Sequence, residues 1–114
     1  MNLESVRLMA LSHPEVTEEP HFAATSFRVR GKIFVTVPPE GTHIHVFVAE
    51  EAREPMLAMY PDDVEKLFWG KKVVGLRVIL DRAQDSVVED LIRQAWVNKA
   101  PKTLRAQVAD RDAS

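Results

Sequence analysis

The sequence predicts one α/β domain of the α+β type, an antiparallel sheet of about five strands flanked by helices in the order α-β-β-β-α-β-β-α. Three observations lead there. The chain has 114 residues, 46% hydrophobic and 28% charged, which is the size and balance of one soluble globule whose core needs no covalent staples. Its hydrophobic period changes from helical to two and back to helical. Gly- and Pro-containing breaks fall between the period-two runs at hairpin-like intervals.

The elements follow in order. Leu3, Val6, Met9 and Ala10 recur at helical spacing behind Asn2, a good N-cap, so a helix is predicted over Leu3–Ser12 and stopped by His13-Pro14. Residues 15–25 have no steady period, and Pro20 biases Glu19 away from helix, so this stretch reads as an irregular approach to the sheet. Phe27 and Val29 then alternate with Arg28 and Arg30, and Ile33, Val35 and Val37 alternate with Phe34 and Thr36, as in a half-buried hairpin. Its turn is either Arg30-Gly31 or Arg30-Gly31-Lys32. The longer version keeps Phe27, Val29, Ile33 and Val35 on one face, and both versions have a cationic tip.

Pro38-Pro39-Glu40-Gly41 makes a loop. His43–Val48 alternates again, with Ile44, Val46 and Val48 on one side and His43, His45 and Phe47 on the other. Glu50–Tyr60 reads as a short helix with acids in its opening turn, which suits the helix dipole, and with Pro55 tolerable only inside that first turn. After Pro61-Asp62-Asp63, Val64–Trp69 and Val73–Leu80 are strand-like runs joined through Gly70-Lys71-Lys72, a second basic tip. Ser86-Val87-Val88-Glu89 fits a capping box, and Val88, Leu91, Ile92, Ala95 and Trp96 form one apolar stripe of a helix that stops before Pro101. The chain from Lys102 on is polar. The domain is therefore expected over residues 1–105, with a frayed tail over 106–114.

Composition excludes several function classes. With no Cys there are no disulfides, thiolate catalysis, iron–sulfur clusters or cysteine zinc sites, and a reducing compartment is compatible. Glu4 and Arg7 interrupt the apolar positions near the start, leaving no run of signal-peptide or membrane-span length, so a cytoplasmic protein is expected. A formal charge of −2 argues against a globally basic nucleic-acid binder and leaves only charge distribution to support such a role. That distribution is uneven. Arg28, Arg30 and Lys32 are the only charges between Ala23 and Pro39. Lys66, Lys71, Lys72, Arg77 and Arg82 face Asp81 alone between Lys66 and Arg82, and the intervening stretch from Glu40 to Glu65 is acidic apart from Arg53. Such clusters describe either solvated faces or a dipolar molecule with one basic face.

Catalytic and metal-binding patterns are absent. His43 and His45 share one side of a strand but supply only two ligands. A third would have to come from His21, His13 or Glu19, without any zinc-motif spacing. The serines lie in no GxSxG context, the paired acids Glu18-Glu19, Glu50-Glu51 and Asp62-Asp63 are ordinary solubilising pairs, and the glycines form neither a Walker loop nor a dinucleotide fingerprint. No enzyme, cofactor or metal is expected. Tyr60 and Trp69 lie near Lys66, Lys71 and Lys72, so Trp69 is either core or a stacking platform, whereas Trp96 belongs to the apolar stripe. Arg28, Arg30, Lys32, Lys71 and Lys72, at two hairpins, are the candidate site.

The ordered set of an H-P-x-V-T-E-E-x-x-F approach, the Phe27–Phe34 hairpin, the LDRA run at Leu80–Ala83 and A-W-V-N-K-A-P-K at Ala95–Lys102 resembles the MmcQ/YjbR-like proteins, a small bacterial family, over roughly Leu3–Leu104. That resemblance implies a CyaY-like α/β domain and a double-wing mode of DNA binding, with Arg28, Arg30 and Lys32 matching the first hairpin and Ala100-Pro101-Lys102 the C-terminal motif. The chain departs where such proteins commonly place an aromatic before the last strand, having Val73-Val74-Gly75 instead. The expectation is an accessory protein that contacts duplex phosphates through Arg28, Arg30, Lys32, Lys71 and Lys72. The alternatives are an adaptor that offers the same face to an acidic protein and, third, a small-ligand pocket lined by His21, Phe22, Tyr60 and Trp69.

Overall fold

A computed structural model describes residues 1–113, with side chains described to Gln107. It consists of α1 (Leu3–Leu11), β1 (Val16–His21), β2 (Ala24–Val29), β3 (Lys32–Val37), β4 (His43–Val46), α2 (Glu50–Met59), β5 (Val64–Trp69), β6 (Lys72–Ile79), α3 (Asp85–Lys99) and α4 (Lys102–Ala113). All strands pair antiparallel in one sheet of order β1-β2-β3-β4-β6-β5. The α+β class and the order of the predicted elements hold, and the sheet has six strands where about five were expected.

The helices cover one face of this sheet. Phe27, Val29, Val35, Ile44, Val46, Leu76 and Val78 are fully buried beneath the α3 stripe of Val88, Leu91, Ile92 and Ala95. Val6 and Ala10 bring α1 into the same core, and Trp96 ties α1 to α3 by donating its indole N–H to the Pro14 carbonyl at 3.0 Å while stacking on His13. Among the described residues the other face carries no helix.

The added strand is β1. Its sequence, Val-Thr-Glu-Glu-Pro-His, has only one aliphatic side chain, and it survives as an edge strand because its backbone pairs with β2 along its whole length. Pro20 is acceptable on an edge, where one side of the strand needs no donors. Arg7 of α1 clamps it from the helix side through Glu18, Nε to Oε1 at 2.7 Å.

Four further details depart from expectation or settle it. The first hairpin turns on two residues, since Val29 pairs with Lys32, and Arg30 and Gly31 both have positive φ, at 47° and 83°. That is the signature of a type I′ turn, in which Gly is the natural second residue. Phe27, Val29 and Val35 nevertheless share the core face, because Phe34 is an extra residue in β3 that resets the alternation, while Ile33 pairs with Arg28 on the open face. Ser86 does not cap α3. The helix starts at Asp85 with Gln84 at the N-cap and no side-chain cap bond, so the residues of the expected capping box already lie inside the helix. Pro55 lies in the second turn of α2, beyond the first turn where it was expected. It costs one helical hydrogen bond, and the orphaned Glu51 carbonyl belongs to an exposed residue where water can satisfy it. After Pro101 a helix that sequence did not single out, α4, buries Leu104 within the domain expected to end at residue 105; Ser114 at the end of the expected tail lies outside the described residues. No helix among the described residues is long and apolar enough to cross a membrane.

Candidate nucleic-acid interface

The pairing pattern fixes strand direction. β2, β4 and β5 run one way and β1, β3 and β6 the other, so the β2–β3 and β5–β6 turns leave the sheet at the same end. Three strand spacings separate the two hairpins, ~14 Å in a flat sheet. Between them β4 is short. Its chain turns away at Phe47 and passes over Gly75, where a Cβ would overlap the Val46 carbonyl oxygen and lie 3.1 Å from the Phe47 Cα. Asn98 of α3 pins this crossing by donating to the Phe47 carbonyl at 2.7 Å. The result is two projecting hairpins with a gap between them.

The five predicted cations fare differently. Lys32, Lys71 and Lys72 are exposed at this end and have no ion-pair or hydrogen-bond partner among the described residues. Lys72 pairs across the strands with Trp69 on the open face, while Lys32 pairs with Val29 and so leans to the helix side. Arg30 is at the tip, but Glu15 grips it with two hydrogen bonds, Nε–Oε1 at 2.9 Å and Nη2–Oε2 at 2.8 Å. Those bonds hold the Glu15 carboxyl below the usual carboxylate range. Arg28 is not at the tip. Its guanidinium folds back across β1, donating to Ser26 Oγ at 3.1 Å and to the Pro20 carbonyl, with Glu19 at 3.8 Å.

Along the open face runs a groove of about 870 Å³. Trp69 and Lys72 line it at the tip end and Phe22 and Pro39 at the other, with His45 and Phe47 between them. Trp69 is exposed rather than core, while Trp96 is buried as its stripe predicted. Of the residues proposed for a small-ligand pocket, His21, Phe22 and Trp69 do line this groove. Tyr60 does not; it caps the end of α2 and packs against the core on the helix side. Lys99 and Phe68 also line the groove and were not singled out from sequence. Phe68 occupies an edge-strand position that any strand template treats as half-buried, and Lys99 reaches the open side only because α3 ends beside the β4 crossing.

His43 and His45 lie side by side on the open face, ring centroids 5.2 Å apart. Their third polar neighbour is Arg77, whose Nη2 sits 3.3 Å from His43 Nδ1 and whose guanidinium is also paired with Glu65. Partial burial first, then the Arg77 charge, lowers the His43 pKa; burial, His43 and Arg77 lower that of His45. Both rings therefore favour the neutral form at neutral pH. Among the described residues no group of three or more His, Cys, Asp or Glu side chains is placed to hold a metal ion.

Charge is sorted by end. The tips carry Arg30, Lys32, Lys71 and Lys72, whereas the turns at the opposite end carry Glu40, Asp62, Asp63 and Asp81, with Arg82 among them. At the tip end the helix side holds Glu50 and Glu51 in the first turn of α2, while the groove on the open side is lined by no Asp or Glu among the described residues.

A family model described as YjbR matches residues 11–98, which include every strand and nearly all of α3. No curated protein matches the chain.

Proposed function

We propose that this chain, which belongs to the YjbR family, is a cytoplasmic, non-catalytic accessory protein that binds nucleic acid by contacting phosphates with its two hairpin tips. One observation carries the reading: antiparallel topology sends both basic turns to one end of the sheet, and Lys32, Lys71 and Lys72 stand there exposed and unpaired among the described residues. Phosphate contact by lysines positions a protein on a backbone without reading sequence. Two of the five predicted cations are engaged by carboxylates, Arg28 loosely and Arg30 tightly, so the effective count falls to about three. Each neutralised phosphate contributes about −0.9 to the log–log salt slope on duplex DNA, which gives roughly −2.7 in place of the −4 to −5 expected for five contacts.

The absence of Cys suits a reducing compartment. Ser26, the one buried serine among the described residues, spends its hydroxyl on the Glu19 carbonyl at 2.8 Å, which suits a role without covalent chemistry. The test is a titration of labelled duplex DNA between about 50 and 200 mM salt, with the wild type and with the triple variant Lys32→Glu, Lys71→Glu, Lys72→Glu. The expected result is salt-sensitive binding that the triple variant loses. Absence of binding at the low-salt limit, or a triple variant that binds like the wild type, rejects the reading.

A further inference from the structure

We infer that the open face of the sheet is a stacking surface for the unpaired bases of a single-stranded nucleic acid, whose phosphates lie against the lysines at the tip end. This rests on the phosphate-contact reading and adds the class of strand. Its first support is the aromatic side chains. Phe22 and Trp69 are 96% and 80% exposed and line one groove together with the half-buried Phe47, while Phe68, whose β5 position alternates to the helix side, borders it. Single exposed apolar residues are ordinary, but aromatics collected in one groove mark an interaction surface. Phe22 is held there at a cost. It sits in the two-residue β1–β2 turn at φ 56°, a backbone region that favours Gly or Asn and penalises a bulky side chain.

Charge chooses the occupant. Among the described residues the groove lining includes Lys72 and Lys99 and no carboxylate, so an apolar peptide would leave its cations unused and an acidic peptide would leave its rings unused. A polynucleotide strand uses both, because its flat bases alternate with phosphates. The geometry matches that alternation at the tip, where Trp69 and Lys72 are cross-strand partners on the same face. The groove also runs from the Trp69 end of the strands to the Phe22 end, a strand length of ~20 Å for six residues, which suits a chain more than a compact molecule. Duplex DNA offers no base faces to these rings, since each base is stacked between its neighbours; unpaired bases do.

The experiment uses 12-nucleotide single strands of DNA and of RNA and the corresponding duplex DNA, with binding read by anisotropy and by tryptophan emission. Trp96 is buried, so quenching reports Trp69. The expected result is tighter binding of a single strand than of duplex, with quenching. Trp69→Ala should weaken single-strand binding about 5- to 150-fold, the range for losing one stacked base, while Trp69→Phe retains most of it and duplex binding hardly changes. The DNA and RNA arms identify which strand is preferred. Single-strand binding that Trp69→Ala and Phe22→Gly leave unchanged, yet the triple lysine variant abolishes, overturns the stacking surface and leaves the phosphate reading standing. No binding of any strand at ~50 mM salt overturns both. A dimer in sedimentation that Trp69→Ala dissociates, without quenching by any strand, assigns the face to a second copy of the chain and overturns the inference.

Discussion

Releasing Arg30 from Glu15 should strengthen nucleic-acid binding and steepen its salt dependence. In the resting protein the guanidinium spends Nε and Nη2 on one carboxylate, so it is present at the tip yet unavailable to a phosphate. The substitution Glu15→Asn removes the charge and shortens the side chain. It also suits the backbone, because position 15 has φ 57°, where Asn is among the better-tolerated residues. Counting Lys32, Lys71 and Lys72 alone gives a slope of roughly −2.7 on duplex DNA, and a fourth cation takes it to roughly −3.6. Near 0.1 M salt that added contact tightens binding about eight-fold. The assay is anisotropy with a short labelled duplex at four or five salt concentrations. Removing a carboxylate also relieves simple repulsion, so the variant Arg30→Gln is needed to close a double-mutant cycle. Alone it should weaken binding modestly, because it leaves the Glu15 carboxylate unneutralised at the tip, and in the Glu15→Asn background it should erase the part of the gain that comes from the freed guanidinium. A slope that does not steepen, or a gain that persists undiminished without Arg30, refutes the argument that Glu15 holds this cation in reserve.

Other predictions test the frame on which the interface is built. Gly75→Ala drives a methyl group into the backbone of the β4 crossing and should cost ~1–3 kcal/mol, lowering Tm by about 4–12 °C for a chain of this size; a Tm like that of the wild type would show that the crossing is not tightly fitted. Leu91→Ala empties a fully buried position of the α3 stripe and should cost ~2–5 kcal/mol in urea unfolding, which a surface-like loss below ~1 kcal/mol would contradict. Phe22→Gly should raise or preserve thermal stability while weakening single-strand binding, since it relieves a positive φ and deletes an exposed ring; a clear drop in Tm would mean the ring supports the fold. His13, His43 and His45 all have lowered pKa values in the folded chain, so the unfolded chain takes up protons first as pH falls. Stability should be full above the ordinary histidine value of 6.5 and decline as pH falls below it, and urea midpoints that stay flat from pH 7.5 to pH 5 would contradict this.

What could be read from the sequence was whatever local pattern controls. Alternation identified β3, β4 and the β5–β6 hairpin, and helical spacing identified α1 and α3, because each of these buries one side against a common core. β1 was invisible for the opposite reason. Five of its six residues are not aliphatic, and its existence depends on ladder bonds to β2 and on Arg7 reaching Glu18, neither of which leaves a local signature. The capping box at Ser86 was a false signal because the chain leaving β6 enters the helix two residues earlier, with Gln84 at the cap. For the candidate site, residue type drew attention to the lysines of the two turns but could not show that Glu15 neutralises Arg30 or that Arg28 folds back onto β1, since both contacts join residues distant in sequence. Trp69 was undecidable between core and platform until the sheet order placed β5 at an uncovered edge.

The same topology explains how a chain of net charge −2 presents a basic end. Along the sequence, basic and acidic stretches simply alternate. In an antiparallel sheet successive connections fall at opposite ends, so a sequence that puts cations in one set of turns and acids in the other becomes an end-to-end charge separation after folding. Residues 30–32 and 70–72 go to one end, and 38–42, 61–63 and 80–82 to the other. Separation over the ~20 Å length of a six-residue strand exceeds the Debye length of ~8 Å at physiological salt, so the acidic end does little to cancel the field at the tips. The N-terminal acids of α2 then bias that field to one side, because Glu50 and Glu51 cover the helix face of the tip end while the groove face has no carboxylate lining it. On the proposed reading, approach of a polyanion is thereby directed to the face that holds Trp69 and Phe22, and charge and aromatic surface act on one ligand rather than on two.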